Sequence, residues 1–275
     1  MADPRLYQIG TLASLLVYGM GRLDFDITMG RVALLLGTVL AAQWACDRVA
    51  HVAQPFHLSA RSALISGLSL CLLLRTNRAE LAVAAAVVAI ASKFLIRVGG
   101  KHVFNPTDGG IVAMLVLTNQ VWVSPGQWGA AATFAFLMAC AGSLVVTRAA
   151  RSDVTYAFAF FYCALLVGRS LYLGEPLTIP LHRLQSGALL LFTFFMISDP
   201  KTTPDSRAGR VLFAALVAFG AWYVQFRLFR TNGLLWSLAA CSTLVPLIDR
   251  IAPGARYVWV TRRAPRSPIP ALRVA

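Results

Sequence analysis

Charge is what this sequence has least of. Only 13% of its 275 residues are Asp, Glu, Lys or Arg, about half the usual share, while 58% are apolar. A soluble chain of this size has no way to hide so much apolar surface behind so thin a polar coat. Lipid removes the difficulty, because it accepts apolar side chains on the outside of a fold. Acids are scarcest: 11 Asp and Glu stand against 25 Lys and Arg, a net charge of +14. That excess does not mark a nucleic-acid partner. The basic residues punctuate apolar runs, as loops between membrane spans do, and gather neither on one face nor in one domain.

Other absences narrow the field further. The five cysteines, Cys46, Cys71, Cys140, Cys163 and Cys241, form no CxxC pair and all sit in apolar runs. They read as small packing residues and imply no disulfide framework. The four histidines, His51, His57, His102 and His182, lack the carboxylate spacing that completes a metal site. There is no GxSxG nucleophile motif, which argues against a stand-alone hydrolase. Arg5 is a lone positive charge, and no small-residue cleavage site follows Leu6–Met20. That stretch therefore reads as a first span retained in the protein, not as a signal peptide.

What is present is a succession of apolar runs bounded by charges or by Gly and Pro. They lie near residues 6–21, 32–47, 62–74, 79–96, 109–123, 129–147, 154–173, 184–198, 208–226 and 233–251. The expected fold is an all-α integral membrane protein of about ten transmembrane helices. Residues 1–251 form one polytopic domain, and 252–275 a basic cytoplasmic tail with five Arg and four Pro. Such a tail suits acidic lipid or an acidic protein surface. Counting Lys and Arg in alternate loops puts sixteen on the side of both termini and eight on the other, with Lys93 inside a span. That bias places both termini in the cytoplasm.

Two runs are too short to cross a bilayer comfortably. Thirteen residues separate Arg61 from Arg75, and fifteen separate Arg183 from Asp199. Each contains Ser-Gly followed by an apolar stretch, at Ser66-Gly67 and at Ser186-Gly187. Matching short segments in two halves, about 6–123 and 129–251, predict a five-plus-five repeat, inverted because each unit has an odd number of spans. Inverted repeats with broken helices place a site near the midplane. The plainer reading is two tilted spans with local thinning of the bilayer.

Two clusters accompany these segments. The first is Gly99-Gly100-Lys101-His102-Val103-Phe104-Asn105-Pro106-Thr107-Asp108-Gly109-Gly110. Pro106 forbids a continuous helix and pushes Asn105 out of helical angles. Asn105 can then cap the next helix, with Asp108 in its positive first turn. Taken alone, this is a capped turn. The second is Ile197-Ser198-Asp199-Pro200-Lys201-Thr202-Thr203-Pro204-Asp205. Asp199 is an acid near membrane depth, a functional candidate by default, although a structural pairing with a neighbouring Arg reads almost as well.

At these residues the chain resembles the NqrB/RnfD family, membrane subunits of the sodium-pumping NADH:quinone oxidoreductase and of the Rnf electron-transport complex. The resemblance is carried by Leu181-His182-Arg183-Leu184-Gln185-Ser186-Gly187, by Phe194-Phe195-Met196-Ile197-Ser198-Asp199-Pro200-Lys201-Thr202, by Arg207-Ala208-Gly209-Arg210 and by Val245-Pro246-Leu247-Ile248-Asp249. In the first half it is carried by Lys101-His102-Val103-Phe104-Asn105-Pro106. It implies ten helices in two inverted halves, the bacterial inner membrane, membrane redox subunits as partners and a place in flavin-linked electron transfer. The ligand-facing candidates are Asn105, Pro106, Asp108, Gly109, Ser186, Gly187, Asp199, Lys201, Thr202 and Thr203.

The chain also departs from the family. The loop Thr118–Gly129 lacks the (S/T)xAT motif on which the family carries FMN covalently. Thr178, in Leu177-Thr178-Ile179-Pro180-Leu181, follows the seventh span and is only a look-alike. The iron–sulfur centre of the sister subunits needs a Cys on each short helix, and the counterpart of Cys71 is Leu191. The expectation is therefore a non-covalent flavin (FMN or riboflavin) or a quinone, no metal, and a likeness to the shortened branch found near enediyne biosynthesis genes. The alternative is a transporter or channel on the same architecture without redox chemistry. A third reading is a membrane scaffold for partners.

Overall fold

A computed structural model of the protein describes residues 3–23, 25–123 and 132–258, without the side chains of 132–136. Twelve helices follow one another among the described residues: α1 (Pro4–Arg22), α2 (Met29–Val49), α3 (Phe56–Leu73), α4 (Ala79–Leu95), α5 (Pro106–Leu117), α6 (Ala132–Arg148), α7 (Ser152–Leu173), α8 (Thr178–Leu184), α9 (Gly187–Leu191), α10 (Arg207–Phe226), α11 (Gly233–Ser242) and α12 (Val245–Ile251). A π-helical turn over Phe192–Met196 extends α9. Four two-residue strands tie the loops: β1 (Leu74–Arg75), β2 (Arg97–Val98), β3 (Lys101–His102) and β4 (Trp122–Val123). Strand β1 pairs antiparallel with β4, and β2 with β3.

Each of the ten apolar runs holds a helix, with α9 and its π turn sharing one run and α11 and α12 another. Helices α2, α3, α7 and α10 are long and apolar enough to cross a membrane unaided, and α11 with α12, bent by 51°, makes a fifth such span. Large apolar side chains such as Val17, Phe160, Leu171 and Phe219 stand exposed on the outer faces, as a lipid boundary requires. The chain is thus an all-α membrane protein.

The structure corrects one of the two interrupted segments. Ser62–Leu74 is not a broken span, because α3 begins at Phe56 and runs 18 residues without a break. Arg61, which reads as a boundary in the sequence, lies inside the helix and pairs with Asp3 at 2.8 Å. Asp3 also caps α1 and pairs with Arg5 at 2.7 Å. A charge so neutralised does not end a helix. The second segment is short: α9 and its π turn cover only 187–196. Helix α8, unforeseen as a separate element, stands in front of it.

Local chemistry sets the helix starts. Thr28 and Ser206 accept from the amides of Arg31 and Gly209, and Pro opens α1 and α5 and is second in α12, where a missing N–H costs nothing. Small residues set the spacing between helices. Ala82, Ala85, Ala86 and Ala89 of α4 are all buried, and a Cβ on Gly110 of α5 would lie 2.7 Å from the Ala85 carbonyl oxygen. Such stripes let membrane helices approach backbone to backbone. Helix α4 packs on α2 and α5, and α3 on α1 and α2. In the second half α10 packs on α7 and α11, and α6 on α9.

Candidate functional site

The approach to α5 is built by a hairpin. Gly99 (φ +57°) and Gly100 (φ +80°) turn β2 into β3, both in the left-handed region that tight hairpin turns demand. The chain then reaches Asn105, whose Oδ1 accepts from the amides of Thr107 (3.0 Å) and Asp108 (3.3 Å). Its Nδ2 donates to the carbonyl oxygen of Met196 at 3.2 Å. Met196 is the last residue of the π turn. One buried side chain therefore caps the start of α5 and satisfies a backbone acceptor at the end of the broken segment, 91 residues away.

The loop beyond Met196 is held as firmly. Asp199 Oδ1 accepts from the Lys201 amide (3.0 Å), and its carbonyl accepts from the amides of Thr202 (3.2 Å) and Thr203 (3.1 Å). Arg151 donates Nε to Thr203 Oγ1 (3.1 Å) and stacks on Tyr257, 4.7 Å from the ring centroid. Lys201 Nζ donates to the Tyr257 carbonyl (3.1 Å). Burial draws that ammonium below the usual lysine range, with Asp199 the main group acting the other way. Lys101, across the hairpin, bridges Asp205 (3.0 Å) and Asp249 (2.8 Å), and Asp249 Oδ1 accepts from the Asp205 amide (2.8 Å). Arg210 grips Asp153 and donates to the Asp205 carbonyl at 2.7 Å.

Between these elements lies a cavity of about 40 Å³ with a mixed lining, Ser62, Ser66, Asn105, Thr107, Ser198 and Asp199 facing it beside Ile65, Val145 and Phe195. It has room for a water or a small ion. Beside it Lys93, 5% exposed, donates to Gln43 Oε1 (2.9 Å) and Ser62 Oγ (3.3 Å). Gln43 in turn donates to Asp47 (2.9 Å). Asp108 is completely buried, and neither carboxylate oxygen meets a donor among the described residues.

His102 shows how closed this end is. Burial first, then the charges of Lys93 and Arg97, push its imidazole down to about 4. It is neutral at pH 7. The unfolded chain takes up a proton as pH falls through about 6.5, while the folded chain resists until about 4. Stability is therefore full above that unfolded value and declines on acidification, by up to roughly 3 kcal/mol. The expected result is a flatter acid-unfolding curve for His102→Gln in detergent between those two values.

A second cavity, of about 510 Å³, opens at the other end of α7 and α10. Its floor is Leu189, Phe192, Met196 and Leu235, all buried. Tyr162 and Gln225 close one side, with the Tyr162 hydroxyl donating to Gln225 Oε1 at 2.9 Å. His182, Arg183, Arg230 and Asn232 stand at its mouth. Met196 lines both cavities, so the π turn is the wall between them.

The predicted site residues divide accordingly. Asn105, Pro106 and Asp199 face the small cavity, and Ser186 lines the large one. Asp108 lies in the first turn of α5, its carboxylate without a donor among the described residues. Gly109 is packed, with a Cβ there 3.3 Å from Phe104, and Gly187 is buried at the start of α9. Thr202 and Thr203 tie their own loop, Lys201 reaches the Tyr257 carbonyl, and none of the three lines either cavity. Lys93 was missed as a site residue, although a lone cation in an apolar helix is itself a signal. No group of three or more His, Cys, Asp or Glu that could hold a metal ion occurs among the described residues. The stretch 124–131 of the shortened loop, and the tail from 259, lie outside them.

Comparison with known proteins places these segments. The chain is 35% identical over 79 residues to RnfD, the ion-translocating oxidoreductase complex subunit, of Tolumonas auensis, covering 29% of this chain and 23% of that protein. It is 31% identical over 107 residues to the protein of the same name in Citrobacter koseri (39% and 27%). Against that of Escherichia coli K12 it is 28% identical over 133 residues (48% and 33%). The chain spans about a quarter to a third of the length of these curated relatives. A family model matches residues 116–257, just over half of the chain. Lys101–Pro106 lies before that match, yet Asn105 is bonded into it through Met196. Through the helices that carry Ser186–Thr203 and Asp249, the chain belongs to the NQR2, RnfD, RnfE family.

Proposed function

We propose that the protein is a membrane subunit of an electron-transport system, working beside other membrane redox subunits and holding a flavin or a quinone without a covalent link. The observation that carries this reading is the family match, which runs through the broken segment and the loop bonded to Asn105. The names of the relatives, RnfD-type members of ion-translocating oxidoreductase complexes, agree with it. Ten crossing segments in two inverted halves are part of the proposal. Their support is the repeated pairing in which α4 with α2 and α5 matches α10 with α7 and α11. The bias of Lys and Arg supports termini in the cytoplasm, and the bacterial relatives support the inner membrane. The missing attachment motif supports the narrower likeness to the enediyne-linked branch.

The cavity at Asn105 and Asp199, at about 40 Å³, does not admit a flavin or quinone ring. Its serines, Asn105 and Asp199 suit water or a proton. The cavity of about 510 Å³ falls in the range of about 300–1,000 Å³ typical of ligand sites. Phe192 and Leu235 would flank a ring there, and Tyr162 and Ser186 would orient it. Such a group, when bound, supplies electron storage. The chain's own residues would position it against the apolar floor. Protein purified in detergent is expected to carry a flavin absorbance band or a stoichiometric quinone. Folded protein with neither would overturn the reading.

A second reading, a transporter, is favoured by the two cavities separated by the π turn, an arrangement suited to access from alternate sides. It predicts solute flux in proteoliposomes that Asp199→Asn alters. Absence of flux with every ion gradient tried would remove it.

A further inference from the structure

The large cavity carries more information than its size. Its floor is apolar, but the ionisable groups at its mouth are of one kind. His182, Arg183 and Arg230 are basic, and no Asp or Glu lines the cavity among the described residues. Arg183 stacks on Phe226, 5.1 Å from the ring centroid, and pairs with no carboxylate among the described residues. Its neighbour Arg169, stacked on the same ring at 4.5 Å, is the one that pairs with Glu175 (2.8 Å). In a chain with 11 acids among 275 residues, the cations that count here are those at the mouth of this cavity.

The start of α11 adds to this. Gly233, Leu234 and Leu235 line the cavity, so the positive end of a ten-residue helix faces it. Asn232, in the left-handed region at φ +59°, makes no side-chain cap to that helix. Gly233 lets the helix end sit close, since a Cβ there would lie 2.8 Å from the Ala221 carbonyl oxygen. Anions bind where helix amides and guanidinium groups converge.

We infer that this cavity is a binding site for a phosphate-bearing amphiphile, its acidic head between Arg183, Arg230 and the start of α11 and its apolar body on Phe192, Leu189 and Leu235. The site rests on the cavity and its charges, and it stands whether or not the occupant is redox-active. Two sources share this chemistry, an acidic membrane phospholipid and a soluble phosphorylated aromatic.

Thermal unfolding in detergent separates them with paired probes. Short-chain phosphatidylglycerol is compared with the diacylglycerol of the same chains, and FMN with riboflavin. The phosphate-bearing member of one pair is expected to raise Tm saturably, and its partner to act at least tenfold more weakly. A response to phosphatidylglycerol assigns a lipid, and a response to FMN a soluble ligand. Both Arg183 and Arg230 are exposed, so the double variant Arg183→Ala/Arg230→Ala is expected to fold and to lose the shift. Arg227→Ala, a cation outside the cavity that stacks on Trp222, is expected to keep it. Equal shifts within both pairs, no shift in either, or a shift that survives the double variant would overturn the assignment. Riboflavin and FMN binding equally, with no preference in the lipid pair either, would overturn it while leaving the redox reading intact.

Discussion

Lys101→Met is expected to destabilise the protein by about 1–3 kcal/mol, between the cost of breaking a surface ion pair and that of breaking a buried one. Lys101 Nζ is the cation shared by Asp205 at 3.0 Å and Asp249 at 2.8 Å, with side chains 10–19% exposed. Without it two carboxylates remain side by side, since Asp249 also accepts from the Asp205 amide. The damage would reach both halves, because the lysine comes from the β2–β3 hairpin and the acids from the loop before α10 and from α12. Asp249→Asn in the Lys101→Met background is expected to recover part of the loss by removing the repulsion. Thermal unfolding of the three variants in detergent measures this. A Lys101→Met protein that melts with the parent would show that the triad does not hold the halves together.

Asn105→Ala is expected to have a similar effect by a different route. It removes the cap of α5, a loss of about 1 kcal/mol, and strips the Met196 carbonyl of its donor, costing about 1–3 kcal/mol more in a buried setting. Asn105→Ser is expected to restore the cap alone, because its hydroxyl reaches the amides of Thr107 and Asp108 but is too short for Met196. The order of melting should be Asn, Ser, Ala. If Ser matched Asn, the bond to Met196 would carry no weight, and the link between α5 and the broken segment would be incidental. Hydrogen exchange at Ile197–Thr203 gives a second readout, since that loop is expected to loosen in both variants.

Much of the fold was legible in the sequence because lipid makes composition decisive. Apolar runs became helices, Asn105 before Pro106 became a cap, and Asp108 fell in the first turn of α5. Where the structure differs, the cause is physical. Arg61 reads as a boundary in sequence, but Asp3, the cap of α1, neutralises it from a distant part of the chain. Lys201, a candidate charge for a ligand in the sequence, donates Nζ to the Tyr257 carbonyl. Asp199 draws its nearest donors from its own loop, the Lys201 amide above all, and Arg151 reaches Thr203 instead. Most of these outcomes depend on partners dozens of residues away, which spacing along the chain does not encode. The large cavity was invisible for the same reason. Its lining comes from α3, α7, α8, α9, α10 and α11, and of the candidate ligand-facing residues only Ser186 belongs to it.

The first-half cluster and the second-half cluster are separate features of the sequence. Asn105, Lys101 and the cavity faced by Ser62, Ser66 and Asp199 make them one region. That region is too small for a ring, and Ser, Thr, Asn and Asp side chains face it. The ring-sized space lies across the π turn at Met196. This division gives the electron-transport proposal a concrete shape, with a bound redox group on one side of the turn and a polar centre on the other.

The most direct test of that proposal is a redox titration of the purified protein in lipid nanodiscs, followed by absorbance. The proposal predicts a bound organic group, in one-to-one amount, that is reduced and reoxidised reversibly without leaving the protein. Fully folded protein that shows no reducible group, and takes up neither flavin nor quinone when these are supplied, would contradict it.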